Sequence, residues 1–92
     1  MQWKLFADLA ERAGGRRIEV DVEPGATVGD ALDALCADRE ELADRVLDED
    51  GELRSQINVL RNGNEVHTQQ EGMETTLEEG DELAMFPPVS GG

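Results

Sequence analysis

Few side chains in this 92-residue chain can do chemistry on their own. It has one cysteine (Cys36), one histidine (His67) and one lysine (Lys4), set against 22 carboxylates. Nucleophilic catalysis needs a nucleophile within reach of a base. Cys36 falls on the apolar stripe of a predicted helix, where cysteine behaves as a small hydrophobe. His67 falls at a predicted hairpin end in polar surroundings, as an exposed loop residue. The two cannot build a Cys/His metal cluster, and a single cysteine makes no internal disulfide. Asp48-Glu49-Asp50-Gly51 opens like a calcium loop, but the twelfth residue is Val59 where a bidentate glutamate is required, so it reads as an acidic turn. Gly14-Gly15 reads as a turn, and Gly25 and Gly29 lack the G-x-G-x-x-G spacing of a phosphate loop. What remains is Phe86-Pro87-Pro88-Val89-Ser90-Gly91-Gly92. Two prolines stiffen the exit from a strand, and the residues after them are small. Gly91 and Gly92 have no Cβ, so they can thread a slot that any side chain would block, with the Gly92 carboxylate as the group delivered.

Composition limits what such a tail belongs to. Eight basic and 22 acidic residues give a net charge of −14, which repels a polyanion and argues against nucleic acid as a partner. No apolar run approaches the ~20 residues of a membrane span, and the first residues lack a signal peptide's apolar segment. No membrane partner is expected, and the cytoplasm is the expected compartment. Hydrophobic residues make up 38% of the chain, which is 35 residues, and ten glycines bring the total to 45 of 92. That is close to the ~45–50% of an ordinary globular chain, so a single folded domain is expected despite the charge. The acids are spread along the chain, and seven of the eight bases are arginine. This pattern resembles proteins of salt-loving archaea, because molar salt shortens the Debye length to ~3 Å and makes acidic self-repulsion tolerable.

The elements that must position the tail are legible from periodicity. Residues 2–7 alternate, with Trp3 and Leu5 on one face and Lys4 and Phe6 on the other. A short helix over 8–13 stops at Gly14-Gly15. Residues 17–22 alternate again, with Ile18, Val20 and Val22 on one side. Thr27 followed by Asp30 is a capping-box pattern, and Val28, Ala31, Leu32, Leu35 and Cys36 then form one helical stripe. Leu42 and Val46 mark a weaker second helix. Residues 57–61 read as a strand, Asn62-Gly63 as a two-residue hairpin turn into residues 64–67, the stretch to Glu74 as loop, and residues 82–86 as the last strand. The predicted class is α+β: a mixed sheet of about five strands with one main helix across one face. Residues 1–86 form the domain, and 87–92 a flexible tail.

The segments WKLFADLAE, VGDALDAL, INVLRNG and GDELAMFPPVSGG together resemble the small archaeal modifier proteins of haloarchaea. More broadly, the chain resembles the ubiquitin-like sulfur carriers, including the small subunit of molybdopterin synthase. The resemblance implies a β-grasp fold and a protein that is not itself an enzyme and binds no cofactor. It implies that a ubiquitin-activating-like adenylating enzyme uses ATP to join the Gly92 carboxylate to AMP. The activated carboxyl then becomes a thiocarboxylate or forms an isopeptide bond with lysines of target proteins. The alternative it leaves open is a dedicated sulfur-donating subunit, whose partner is the molybdopterin synthase large subunit.

In a β-grasp sheet the first and last strands are neighbours. Strand alternation then turns Phe6, Leu60 and Phe86 outward, as one apolar patch for partner docking beside the Ser90, Gly91 and Gly92 tail. Lys4 shares that face and, with the Met1 amine, is the candidate acceptor for self-conjugation.

Overall fold

The computed structural model describes residues 1–37, 39–66 and 72–87. Five strands, β1 (Gln2–Leu5), β2 (Arg17–Glu19), β3 (Asn58–Arg61), β4 (Asn64–Glu65) and β5 (Glu82–Phe86), form one sheet in the order β2-β1-β5-β3-β4. β1 and β5 are parallel at its centre, and the other pairings are antiparallel. Three helices, α1 (Asp8–Ala13), α2 (Val28–Ala37) and α3 (Glu40–Val46), complete the fold, with a 3₁₀ turn at Gly72–Glu74. This is the mixed sheet and main helix expected of a β-grasp domain. No helix among the described residues is long and apolar enough to cross a membrane.

The core follows from the alternation. Trp3 and Leu5 of β1, Val59 of β3, and Leu83 and Met85 of β5 are buried on one face of the sheet. Against them lies the α2 stripe, with Val28, Ala31, Leu32, Leu35 and Cys36 all buried. The start of α2 is closed by reciprocal bonds: Asp30 N–H donates to Thr27 Oγ1 at 3.1 Å, and Thr27 N–H to Asp30 Oδ2 at 3.0 Å. Trp3 crosses from sheet to helix, and its indole Nε1 donates to the Ala31 carbonyl at 3.2 Å, so the polar end of the largest core side chain is satisfied.

Several boundaries differ from those expected. β1 ends at Leu5 rather than residue 7, because Ala7 takes φ 55° and ψ −133° and the Phe6 carbonyl accepts from Leu9 N–H, opening α1. A non-glycine residue there is strained by about 1–3 kcal/mol. β2 stops at Glu19, since its ladder with β1 closes where Val20 N–H donates to the Met1 carbonyl at 2.9 Å. Val20 is buried without belonging to a strand. β3 begins at Asn58, because Ile57 N–H turns back to the Arg54 carbonyl. β4 ends at Glu65, and His67 lies outside the described residues. The second helix read from Leu42 and Val46 is α3, where both are fully buried, and Arg45 ties it to α1 by donating to Asp8 at 2.8 Å.

The Asn62-Gly63 turn has φ of 52° and 85°, the double positive φ of a type I′ hairpin. It is locked to the start of β5 by Asp81. That carboxylate accepts from Arg61 Nε at 2.8 Å, Asn62 Nδ2 at 2.9 Å and Glu78 N–H at 2.7 Å, with only 8% of its side chain exposed. Burial pushes the Asp81 carboxyl up, but the Glu78 N–H, the Asn62 amide and Arg61 together outweigh it and hold it below its ordinary value. A depressed carboxyl stabilises the fold above its unfolded pKa of ~3.9, and that contribution fades as pH falls through the lower folded value. Asp81→Asn should therefore cost about 1–3 kcal/mol at neutral pH. The gap from the parent should close below about pH 3–4, as the parent protonates. Denaturant titrations in molar salt, where long-range repulsion is screened, measure this. A gap that is constant with pH would show that Asp81 acts by shape alone.

Candidate functional site

The sheet's outward face has three rows. Arg17, Lys4, Ala84, Leu60 and Glu65 stand side by side in the middle row, paired strand to strand. Glu19, Gln2 and Glu82 form the row on one side. On the other side Phe86 pairs with Asn58, and the Phe6 ring stacks on the Phe86 ring. The ring centroids are 4.2 Å apart and the planes 10° from parallel. Phe6 is the one large hydrophobic left exposed among the described residues, at 39%. Phe86 and Leu60 are half-buried. Leu60 opposes Ala84 and so stands diagonal to Phe86, at the ~7–8 Å spacing of such neighbours. The three residues expected to face outward thus share one side of the sheet, the two aromatics in contact and the leucine one row away.

Phe86 is the last residue of β5, so the chain leaves the sheet at this stack, with Pro87 as its next residue. Ser90, Gly91 and Gly92 lie outside the described residues. Lys4 sits one row from the aromatics, its Nζ 3.0 Å from Glu82 Oε1 and its side chain 33% exposed.

The other reactive groups stand apart from this face. Cys36 is buried in α2, and burial, with the Asp33 carboxylate adding to it, pushes its thiol up to about 11 against the opposing pull of Arg39. A thiol so raised is almost wholly protonated at neutral pH and makes a poor nucleophile. Asp48 closes its own turn, accepting from Asp50 N–H at 2.8 Å and Glu52 N–H at 3.0 Å. Among the described residues no three His, Cys, Asp or Glu side chains are grouped to hold a metal. An open cleft of about 730 Å³ between Met1, Pro24 and the turn at Glu79 and Gly80 is lined by carboxylates, a poor setting for a phosphate ligand.

Sequence reading missed Asp81, because two of its three donors, Arg61 of β3 and Asn62 of the hairpin turn, are about twenty residues away in the chain. It also missed the Lys4–Glu82 pair, whose signal was present in the parallel register of the first and last strands.

The sequence matches the ThiS family over residues 3–92. It is 56% identical over 92 residues to Small archaeal modifier protein 1 of Haloferax volcanii, with 100% of each chain covered. The crystal structure of SAMP1 from Haloferax volcanii is similar at a TM-score of 0.89 and 56% identity, covering 100% of this chain and 98% of that one. A chain in the crystal structure of the Amycolatopsis orientalis BexX/CysO complex is 28% identical with a TM-score of 0.79, covering 99% of this chain and 98% of that one.

Proposed function

The chain belongs to the ThiS family, and on that footing we propose that it is a ubiquitin-like protein modifier and sulfur carrier that reacts through the Gly92 carboxylate. The observation that carries this reading is the Phe6–Phe86 stack at the point where the Gly-Gly tail leaves β5. An aromatic pair with one ring exposed and the other half-buried, at the end of the strand from which the chain runs on to Gly91-Gly92, supports a partner that grips the sheet and threads the tail. The partner is an adenylating enzyme. A carboxylate resists attack because its charge is delocalised and oxide is a poor leaving group. Joining it to AMP from ATP, with release of pyrophosphate, supplies a leaving group. A sulfur nucleophile then gives a thiocarboxylate, and a lysine amine gives an isopeptide. In the activation of Gly92 this chain's own residues supply docking and reach.

Phe86→Ala and Phe6→Ala test the docking half. Truncating a residue at the centre of an interface costs ~2 kcal/mol or more, so binding to the adenylating enzyme should weaken roughly 30-fold. The folded domain should lose no more than about 1.5 kcal/mol, the worth of an aromatic pair. A substitution that mainly unfolds the chain would place that ring in the core instead.

Mass spectrometry tests the chemistry. Trypsin is a poor choice, because the last basic residue is Arg61 and a conjugate would retain residues 62–92. A protease cutting after acidic residues leaves the branch 83–92 on the acceptor lysine, ten residues since 92 − 82 = 10. That branch on other proteins is expected, together with sulfur-for-oxygen exchange at Gly92. Exchange without branches would favour the dedicated sulfur-donating subunit, and neither in expressing cells would overturn both readings.

A further inference from the structure

Resting on the modifier reading above, we propose that Lys4 is the acceptor for the chain's own activated terminus, and that a copy acylated there is withdrawn from further activation. Lys4 is the single lysine in 92 residues. The Met1 α-amine is the other primary amine, and the fold holds it. It donates to the Val20 carbonyl at 3.0 Å, lies 3.5 Å from Glu19 Oε1, and the Met1 side chain is only 8% exposed. Lys4 is held by one ion pair to Glu82 on an open sheet face, with a third of its side chain exposed. Exposed pairs of this kind are worth ~1 kcal/mol or less, so the amine is readily released.

In the reaction the neutral Lys4 amine attacks the Gly92 carbonyl carbon of a second copy's acyl-adenylate. A C–N bond forms, the C–O bond to the phosphate breaks, and AMP leaves. Two protons pass to solvent, one from the ammonium before attack and one from the nitrogen as the intermediate collapses. The product is a neutral amide, and Glu82 Oε1 loses its cation.

Geometry makes this product a dead end. Lys4 and Phe6 are two residues apart along the same edge of the chain, roughly 7 Å on the strand rise. The isopeptide fixes the second copy's terminus to an amine that leans towards Glu82, one row further from the Phe6–Phe86 stack but on the same face of the sheet. It also brings a body of net charge −14 to the face an adenylating partner must reach. The acylated copy is therefore withdrawn from further activation.

The first test uses the purified native chain and an amine-reactive acetyl ester. The Lys4-to-Met1 labelling ratio, read by fragmentation of the N-terminal peptide, should be at least ~10-fold higher in the folded than in the urea-unfolded chain. An unchanged ratio would show that the fold does not select Lys4 and would overturn the proposal. The second test uses the chain with its adenylating enzyme. Branch 83–92 should appear on Lys4, Lys4→Arg should remove it while conjugates on other proteins persist, and purified self-conjugate should support ATP–pyrophosphate exchange at least ~10-fold more slowly than free chain, equivalent to ~1.4 kcal/mol of lost docking. Self-conjugates joined at Met1, or exchange at the free rate, would overturn it. Conjugates on other proteins with none on Lys4 would overturn this proposal alone. No conjugates of any kind would defeat the modifier reading with it.

Discussion

Removal of Gly91 and Gly92 is expected to abolish adenylation and conjugation while leaving the melting temperature unchanged. The truncated chain still ends in a carboxylate, on Ser90, so chemistry alone would permit activation. Two things are lost. Reach shortens by about 7 Å at ~3.3–3.6 Å per residue, and a Cβ now occupies the reacting position. A misplacement of even 1 Å can cost ~100-fold in rate, so activity should fall by that factor or more. Stability should be spared, because among the described residues the last one buried in the core is Met85, and β5 ends at Phe86. The expected change in unfolding free energy is within about 0.5 kcal/mol. Gly92→Ala restores length and keeps the Cβ, so it separates reach from bulk. A truncated chain that is still adenylated would remove Gly92 from the mechanism.

The second large effect is that of salt. Among the described residues no charged residue is buried as a whole, and apart from the enclosed Asp81 side chain most of their carboxylates meet solvent, where counterions can screen them. Raising KCl from 0.1 to 1 M shortens the Debye length from ~10 to ~3 Å, below the spacing of most surface charges. Surface ion pairs such as Arg12–Asp8 weaken too, but each is worth ~1 kcal/mol or less, and 22 acids outnumber eight bases. Net repulsion therefore dominates. Relief of ~2 kcal/mol raises the melting temperature of a domain this size by ~8–16 °C. Calorimetry across that range should show the rise, with partial or full unfolding in dilute buffer. A flat or falling melting temperature would contradict the reading of the acidic surface as an adaptation to salt.

The features legible in the sequence are those with local causes. The α2 stripe, the Thr27–Asp30 box, the Asn62-Gly63 turn and the bounds of β5 each need only neighbours in sequence, and each stands where it was read. The errors came where pairing decides. Residues 6–7 and 20–22 continue the alternation of β1 and β2, yet a strand lasts only as long as its ladder, and alternation cannot report where the partner stops. Ala7 at positive φ has no sequence signal, since alanine is a poor residue for that backbone. The site was half legible. Facing followed from parity, whereas the Phe6–Phe86 contact depends on the parallel register of strands 80 residues apart (86 − 6 = 80).

The central place of β5 has a mechanical consequence. A load applied through the tail runs along β5, which is bonded to β1 on one side and β3 on the other. Such a load strains both ladders in shear, so their rungs share it and must fail together. A pull that peeled β4 from the edge would instead break its rungs one at a time. The end of the chain that the proposed function would join to other proteins is thus tethered to the part of the domain best arranged to bear tension.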